Sequence, residues 1–448
     1  MNAKNAIYAM DHAQNPENTP WQLEKKKFFS RKKLMVLLGI LIVYIAAGLT
    51  FAFLFANGII TNPFISKNAA DMITGDQSKA SLHLSAAESF TSSILMRADG
   101  HINLYIPVSK NASADYSTNS EAMSYYLLWT AKGKDKEAFD NALGFVEQHM
   151  LHPVNGHLMW HIEANGTVAG DGANIATDAD LRAIKALLIA ENQWGDARYT
   201  RLIEKLAIGI EQIAVTNDTY LAPYAGLSGR TADAKWTAKE VWLSYSDFTV
   251  FKELAQRRGG IWISLYDSMK EAVLKAQIHN GLYNSMLTEK RQFGNGIDGG
   301  GYSINSMWIM VRSAESDDPE LQAAARKSLE FYKGKFGLEN QLFALYSSNG
   351  DAFSPNDSPW VYALVGRAAV ALGDYKFADA MVQKLTEFQV MDKDSPHYGA
   401  IPEGDENERR IGQFTMQESI LTLQDYVKSR GNQQGPLAFS NKADMETS

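Results

Sequence analysis

Twelve stretches of this chain carry apolar residues at i, i+3 and i+4, and the links joining them alternate between very short and very long. The periodicity predicts helices over 82–97, 118–132, 135–150, 178–193, 197–215 and 246–257 in the first half. It continues over 261–278, 302–314, 318–334, 359–373, 375–390 and 414–429. The short links place a helix stop and a helix start back to back. Gly195-Asp196 and Gly373-Asp374 pair a glycine C-cap with an aspartate N-cap, Gly133-Lys134-Asp135 is a variant, and Asp318-Pro319 puts proline at the first helical position. Helices paired in this way form either a superhelical solenoid or a closed ring of six hairpins. The long links, near 153–174, 220–236, 280–301 and 345–360, are rich in Gly, Asn, Tyr and Trp and exceed what a turn needs. A solenoid would have short turns on both faces and a fixed repeat length, which this chain lacks. The expected fold is all-α, an (α/α)6 toroid with one functional rim.

The 448 residues are 45% hydrophobic, enough for one large core, and carry a net charge of -8 with Lys and Arg scattered, so a nucleic-acid surface is not expected. There is no cysteine, which excludes disulfides, thiolate metal sites and cysteine nucleophiles. Residues 34–56 contain no charge, a run of about 23 residues that suffices to cross a bilayer as a helix. Lys25, Lys26, Lys27, Arg31, Lys32 and Lys33 precede it, and no basic residue follows until Lys67, which predicts a cytoplasmic N-terminus and an external main domain. A cleaved signal peptide is the alternative, but its apolar core would be only about 7–15 residues long. The expected organisation is a tail over 1–33, a transmembrane helix over 34–57 contacting the lipid bilayer, a linker over 58–80, the toroid over 81–430 and a C-terminal tail over 431–448.

Ala176-Thr177-Asp178-Ala179-Asp180 heads one helix and Ser120-Glu121-Ala122-Met123-Ser124-Tyr125-Tyr126 heads another. Both sets of carboxylates sit where backbone N–H groups and the helix dipole favour negative charge. Together with Ala186-Leu187-Leu188, Ala190 and Trp194, the first stretch resembles the signature of glycoside hydrolase family 8, inverting enzymes on an (α/α)6 toroid; Ala183-Ile184 stands in reverse of that family's usual order. Ser120-Glu121 resembles the segment holding the family's general acid, and His157-Leu158-Met159-Trp160-His161-Ile162 resembles its aromatic strand. The resemblance implies that Glu121 protonates the departing glycosidic oxygen and that Asp178 holds the distorted sugar. Desolvation among Met123, Tyr125 and Tyr126 would keep Glu121 protonated near neutrality.

The family's catalytic base is an aspartate after a tyrosine, and the counterpart here is Tyr302-Ser303-Ile304-Asn305, with serine at the critical place. Inversion needs a second carboxylate about 6.5–9.5 Å from the acid. Asp298, in the glycine-rich loop just upstream, is the candidate, and Asp247 is a weaker one. Glycoside hydrolase family 126, associated with α-glucan cleavage, also lacks the base at the usual position. Trp160, Asp180, Tyr302, Tyr125 and Trp360 are the candidate substrate contacts. Each has a plainer reading: Asp178 or Asp180 as an N-cap, Glu121 as a dipole partner, the aromatic side chains as core. His157 and His161 lie in a strand-like stretch without an HExxH pattern, and the glycines over 296–301 lack the P-loop lysine, so neither a metal nor a phosphate site is expected and no cofactor is required. The expected function is a membrane-anchored, external, endo-acting hydrolase of a polysaccharide such as a glucan or exopolysaccharide. The alternatives are a surface protein that binds glycan without cutting it and a helical interaction scaffold.

Overall fold

A computed structural model describes residues 69–433 apart from 171, 228–234 and 354–356. The expected tails and the 34–57 span lie outside these residues, and among the described residues no helix is long and apolar enough to cross a membrane. The described residues hold twelve α-helices: α1 Ala69–Phe90, α2 Ser120–Gly133, α3 Lys136–Phe145, α4 Thr177–Trp194, α5 Ala197–Ile213 and α6 Phe248–Arg258, followed by α7 Ile261–Ala276, α8 Ile304–Glu315, α9 Pro319–Glu339, α10 Pro359–Ala371, α11 Tyr375–Glu387 and α12 Gln413–Gln433. Helix α1 starts inside the stretch expected to be linker, because Gly75 and scattered polar residues mask its periodicity.

The even-numbered helices form a closed inner ring: α2 packs on α4, α4 on α6, α6 on α8, α8 on α10, α10 on α12, and α12 on α2. This closure selects the toroid over the solenoid. Helix α2 packs on α3, α4 on α5, α6 on α7, α8 on α9 and α10 on α11, each pair joined by one of the short links. In those links Asp135, Asp196, Asp318 and Asp374 accept backbone N–H groups of the following turn, supplying partners that helix N-termini otherwise lack. Gly195 ends α4 in the left-handed conformation at φ 66, as expected. After α2 it is Lys134, at φ 62, and not Gly133 that takes this conformation.

Every long link enters the N-terminus of an inner helix, so the rim structures gather at one end of the barrel. Short antiparallel strands stiffen them: β1 Tyr105–Pro107, β2 Thr118–Asn119, β3 His161–Ile162, β4 Ile175–Ala176, β5 Tyr224–Leu227, β6 Lys235–Thr237, β7 Val241–Trp242, β8 Met286–Leu287, β9 Phe293–Gly294 and β10 Arg410–Gly412. Strands β2 and β3 pair Thr118 with Ile162; β4-β5-β6 and β7-β8-β9 make two further sheets. Strand β1 pairs with β10, Tyr105 opposite Gly412, tying the first long link to the last.

Candidate active site

Glu121 is the second residue of α2 and Asp178 the second residue of α4, so packing of these two inner helices sets them side by side at the rim. Asn119 caps α2 by accepting from Ala122 N at 2.8 Å, and Ala176 occupies the cap position of α4, so neither Glu121, Asp178 nor Asp180 is spent on capping. The loop before α4 is threaded against α2 through Ser120 N–H donating to the Trp160 carbonyl at 2.8 Å. This brings the half-buried Trp160 indole N–H to 3.1 Å from Glu121 Oε1.

Burial, reinforced by the negative charge of Asp178, raises the Glu121 carboxyl to about 7; the Arg182 guanidinium and the Trp160 bond oppose the rise. Asp178 is 4% exposed and its Oδ2 accepts from Arg182 at 2.8 Å. Its Oδ1 has no partner within the protein. The site thus joins a carboxyl protonated near neutrality to a carboxylate with a free oxygen, the division of roles that acid catalysis beside a held polyol requires.

The other candidates fall in different places. Asp180 is fully buried and accepts from Leu158 N–H at 3.0 Å, pinning the Trp160 loop to α4; burial raises its carboxyl well above the usual range. With no exposed surface it is a fastener for the loop and not the sugar contact the sequence suggests. Tyr125 is likewise buried, its hydroxyl donating to Glu418 and its ring lying 3.8 Å from the Arg182 guanidinium. Tyr302 is 6% exposed, donates its hydroxyl to Asn284 at 3.3 Å and pairs through its backbone with Tyr346. Trp360, at the start of α10, is half-buried against the core.

Ser303 caps α8 and its hydroxyl donates to the Ala344 carbonyl at 2.8 Å. Asp298 is bound through Oδ1 to the Asn305 amide at 2.9 Å, and burial raises its carboxyl. Asn305 in turn accepts from Ser244 Oγ at 2.6 Å, so Asp298 is linked through Asn305 to the residue before Tyr245. Asp247 is buried, caps α6 and bonds Arg312 at 2.8 Å; Lys185 and Arg312 hold it down at about 2, which makes it an ion partner and not a base. His157 binds the Ala173 carbonyl through Nε2 at 2.9 Å while His161 binds Ser117, and among the described residues no group of His, Asp and Glu is arranged to hold a metal.

Sequence reasoning missed Tyr245. It is half-buried beside both carboxyls: burial, then the charges of Asp178 and Glu121, push its phenol well up. Its ring meets Trp242 edge-on at 5.3 Å, and Trp242 meets Tyr224 at 5.8 Å, so three half-exposed aromatic side chains lead away from the carboxyls. The Tyr and Trp residues in and just after the link at 220–236 were the available signal.

A family model described as Glycosyl hydrolases family 8 matches residues 69–298. Endoglucanase A of Acetivibrio thermocellus is 33% identical over 159 residues, 30% of this chain and 32% of that protein, so the match spans about a third of the curated relative. The solved structure of a novel alpha-amylase from Clostridium perfringens is 25% identical with a TM-score of 0.67, covering 77% of this chain and 98% of that one. A GH8 endo-beta-1,4-glucanase from an Achatina fulica gut metagenomic library shares the fold at 18% identity and a TM-score of 0.53, covering 78% and 97%.

Proposed function

The chain belongs to glycosyl hydrolases family 8, and on that premise we propose that its rim cleft hydrolyses a polysaccharide, a β-1,4-glucan first, by inverting acid/base catalysis within the glycan backbone. The observation that carries this reading is the Glu121 carboxyl, held near neutrality beside Asp178 at the heads of two adjacent inner helices. Glu121 donates its proton to the glycosidic oxygen as the bond to the anomeric carbon breaks. Asp178 Oδ1 accepts a hydroxyl of the distorted sugar, and Tyr245, Trp242 and Tyr224 offer ring faces to the flanking units. Water attacks the anomeric carbon from the opposite face and gives its proton to a second carboxylate.

Asp298 is that base in this reading. It must exchange the Asn305 amide for water, and Gly299 and Gly300, at φ 64 and 87, supply a backbone able to turn there. The test is reducing-end release by the full chain on β-1,4-glucan, mixed-linkage glucan, α-1,4-glucan and chitosan, with Glu121→Gln and Asp298→Asn in parallel. Turnover on β-1,4-glucan lost in both variants supports the proposal. Turnover on α-1,4-glucan instead moves the substrate toward the amylase-like relative.

A second reading has its own observation: Ser303 stands where the family base is expected, with its hydroxyl already committed to Ala344. Oligosaccharide binding without product would make the domain a surface glycan-binding protein. We also propose that residues 34–57 anchor the chain in the cell membrane with the hydrolase domain outside, supported by the uncharged run and the basic cluster before it. Recovery of the full chain in the soluble fraction would reject the anchor.

A further inference from the structure

Below the two rim carboxyls the barrel interior is filled by ions of alternating sign. Asp178 bonds Arg182 at 2.8 Å, and Arg182 stacks on Tyr125, whose hydroxyl donates to Glu418. Glu418 pairs with Arg367 at 2.9 Å, Arg367 with Glu315 at 2.6 Å, and Glu315 with Lys185 at 2.8 Å. Lys185 lies 3.3 Å from Asp247, which pairs with Arg312 at 2.8 Å. All six inner helices contribute: Tyr125 from α2, Asp178, Arg182 and Lys185 from α4, Asp247 as the cap of α6, Arg312 and Glu315 from α8, Arg367 from α10 and Glu418 from α12.

The four acids and four bases in this file balance, and Asp425, 3.8 Å from Arg367, is matched in turn by Lys132. Its far members, Lys185, Glu315 and Arg367, line an open bowl of about 2010 Å³ where the inner helices end. Buried ion pairs are poor stabilisers, since apolar residues of similar volume commonly do as well or better. Eight ions in one file, ending on the carboxylate that adjoins the candidate acid, therefore ask for another role.

We propose that Glu418, Arg367, Glu315 and Lys185 are positioning residues: as a charge-balanced file they fix the Asp178–Arg182 pair beneath the cleft and set the net charge that Glu121 meets. The proposal rests on the acid role of Glu121 only for its catalytic consequence. With Glu121 protonated the buried set is neutral, and ionising it adds an unmatched negative charge. The groups that face Glu121 are Asp178, Asp180 and Arg182 from α4, Trp160 from the preceding loop and Tyr245 from the turn before α6. The four positioning residues act through Arg182.

The test reads the Glu121 carboxyl directly, by isotope-edited NMR titration of the full chain labelled with 13C at glutamate, using Glu121→Gln for assignment. Glu418→Gln removes a negative charge and should move the Glu121 midpoint to lower pH. Arg367→Met removes a positive one and should move it higher. Each change should be on the order of one pH unit, the scale of a unit-charge interaction at an effective dielectric near 20. The double variant should return the midpoint to the parent value, and Arg367→Lys should hold it there. Loosening of the fold would move both single variants alike, so changes of the same sign, or no change in either, overturn the proposal.

Glu315→Gln and Lys185→Met carry the same opposed expectation at the part-exposed end, where side-chain exposure is 15% and 17%. They decide the matter if a central variant fails to fold. Opposed midpoints in a chain without turnover on any glycan would reject the hydrolase reading and leave the ion file standing. Turnover with unmoved midpoints would do the reverse.

Discussion

Replacing Glu121 with glutamine should make the protein more stable at alkaline pH while lowering turnover by orders of magnitude. The Glu121 carboxyl is raised from 4.5 to about 7 in the fold. Between those two values the folded chain holds a proton that the unfolded chain has released, so stability falls as pH rises through this window and is level above it. The full difference is at most about 3 kcal/mol, from 1.36 kcal/mol per pH unit. Glutamine cannot ionise, and its carbonyl oxygen still accepts the Trp160 indole N–H. The variant should therefore match the parent near pH 4, where both are uncharged, and exceed it by up to about 3 kcal/mol at pH 8. For a domain of this size that is roughly 4 °C in Tm. Paired thermal unfolding at pH 4 and pH 8 measures the difference, and turnover should fall by about 10²–10⁴ for loss of the proton donor. Equal stability of the two proteins at pH 8 would mean that Glu121 ionises without penalty, and the physical ground for its role as acid would be gone.

Trp160→Phe removes a donor that favours the ionised Glu121, so the alkaline limb of the pH–rate profile should move to higher pH by less than one unit; movement to lower pH would contradict the bond's direction. Asp180→Ala leaves the Leu158 N–H unpaired in the core and should lower stability by about 1–3 kcal/mol in denaturant unfolding, with KM little changed, since Asp180 does not reach the cleft. Gly399→Ala should destabilise by about 2 kcal/mol or more, because a Cβ there would lie 2.1 Å from the Ala86 carbonyl oxygen at φ +91; an unchanged Tm would show that the contact between α1 and the last long link is looser than described.

The hairpin plan was legible because its signals are local. Apolar spacing, Asp caps and glycine stops act within a few residues, and the structure puts a helix at every predicted stretch, within about five residues of its expected ends except for the first, which begins at Ala69 and not at 82. Glu121 and Asp178 were legible for a related reason: each heads an inner helix, and the short-link, long-link alternation brings all inner N-termini to one rim.

What local signals do not carry is depth. Asp178 and Asp180 are two residues apart on one helix turn, yet one pairs with Arg182 at the rim while the other accepts from Leu158 N–H with no exposed surface. Tyr125 and Tyr302 read as cleft aromatic side chains and are buried by tertiary packing, with Glu418 and Asn284 among the partners of their hydroxyls. Tyr245 reaches the carboxyls only because α6 begins where it does.

By itself, then, the sequence determined the all-α hairpin repeat, the rim that bears the long links and the two helix-head carboxyls, since propensity, capping and periodicity are short-range. Only the tertiary structure decided that the ring closes through α12 and α2, that Asp298 is held by Asn305, and that side chains from all six inner helices meet below the cleft. Those outcomes depend on contacts, desolvation and charge that exist only once the chain has packed.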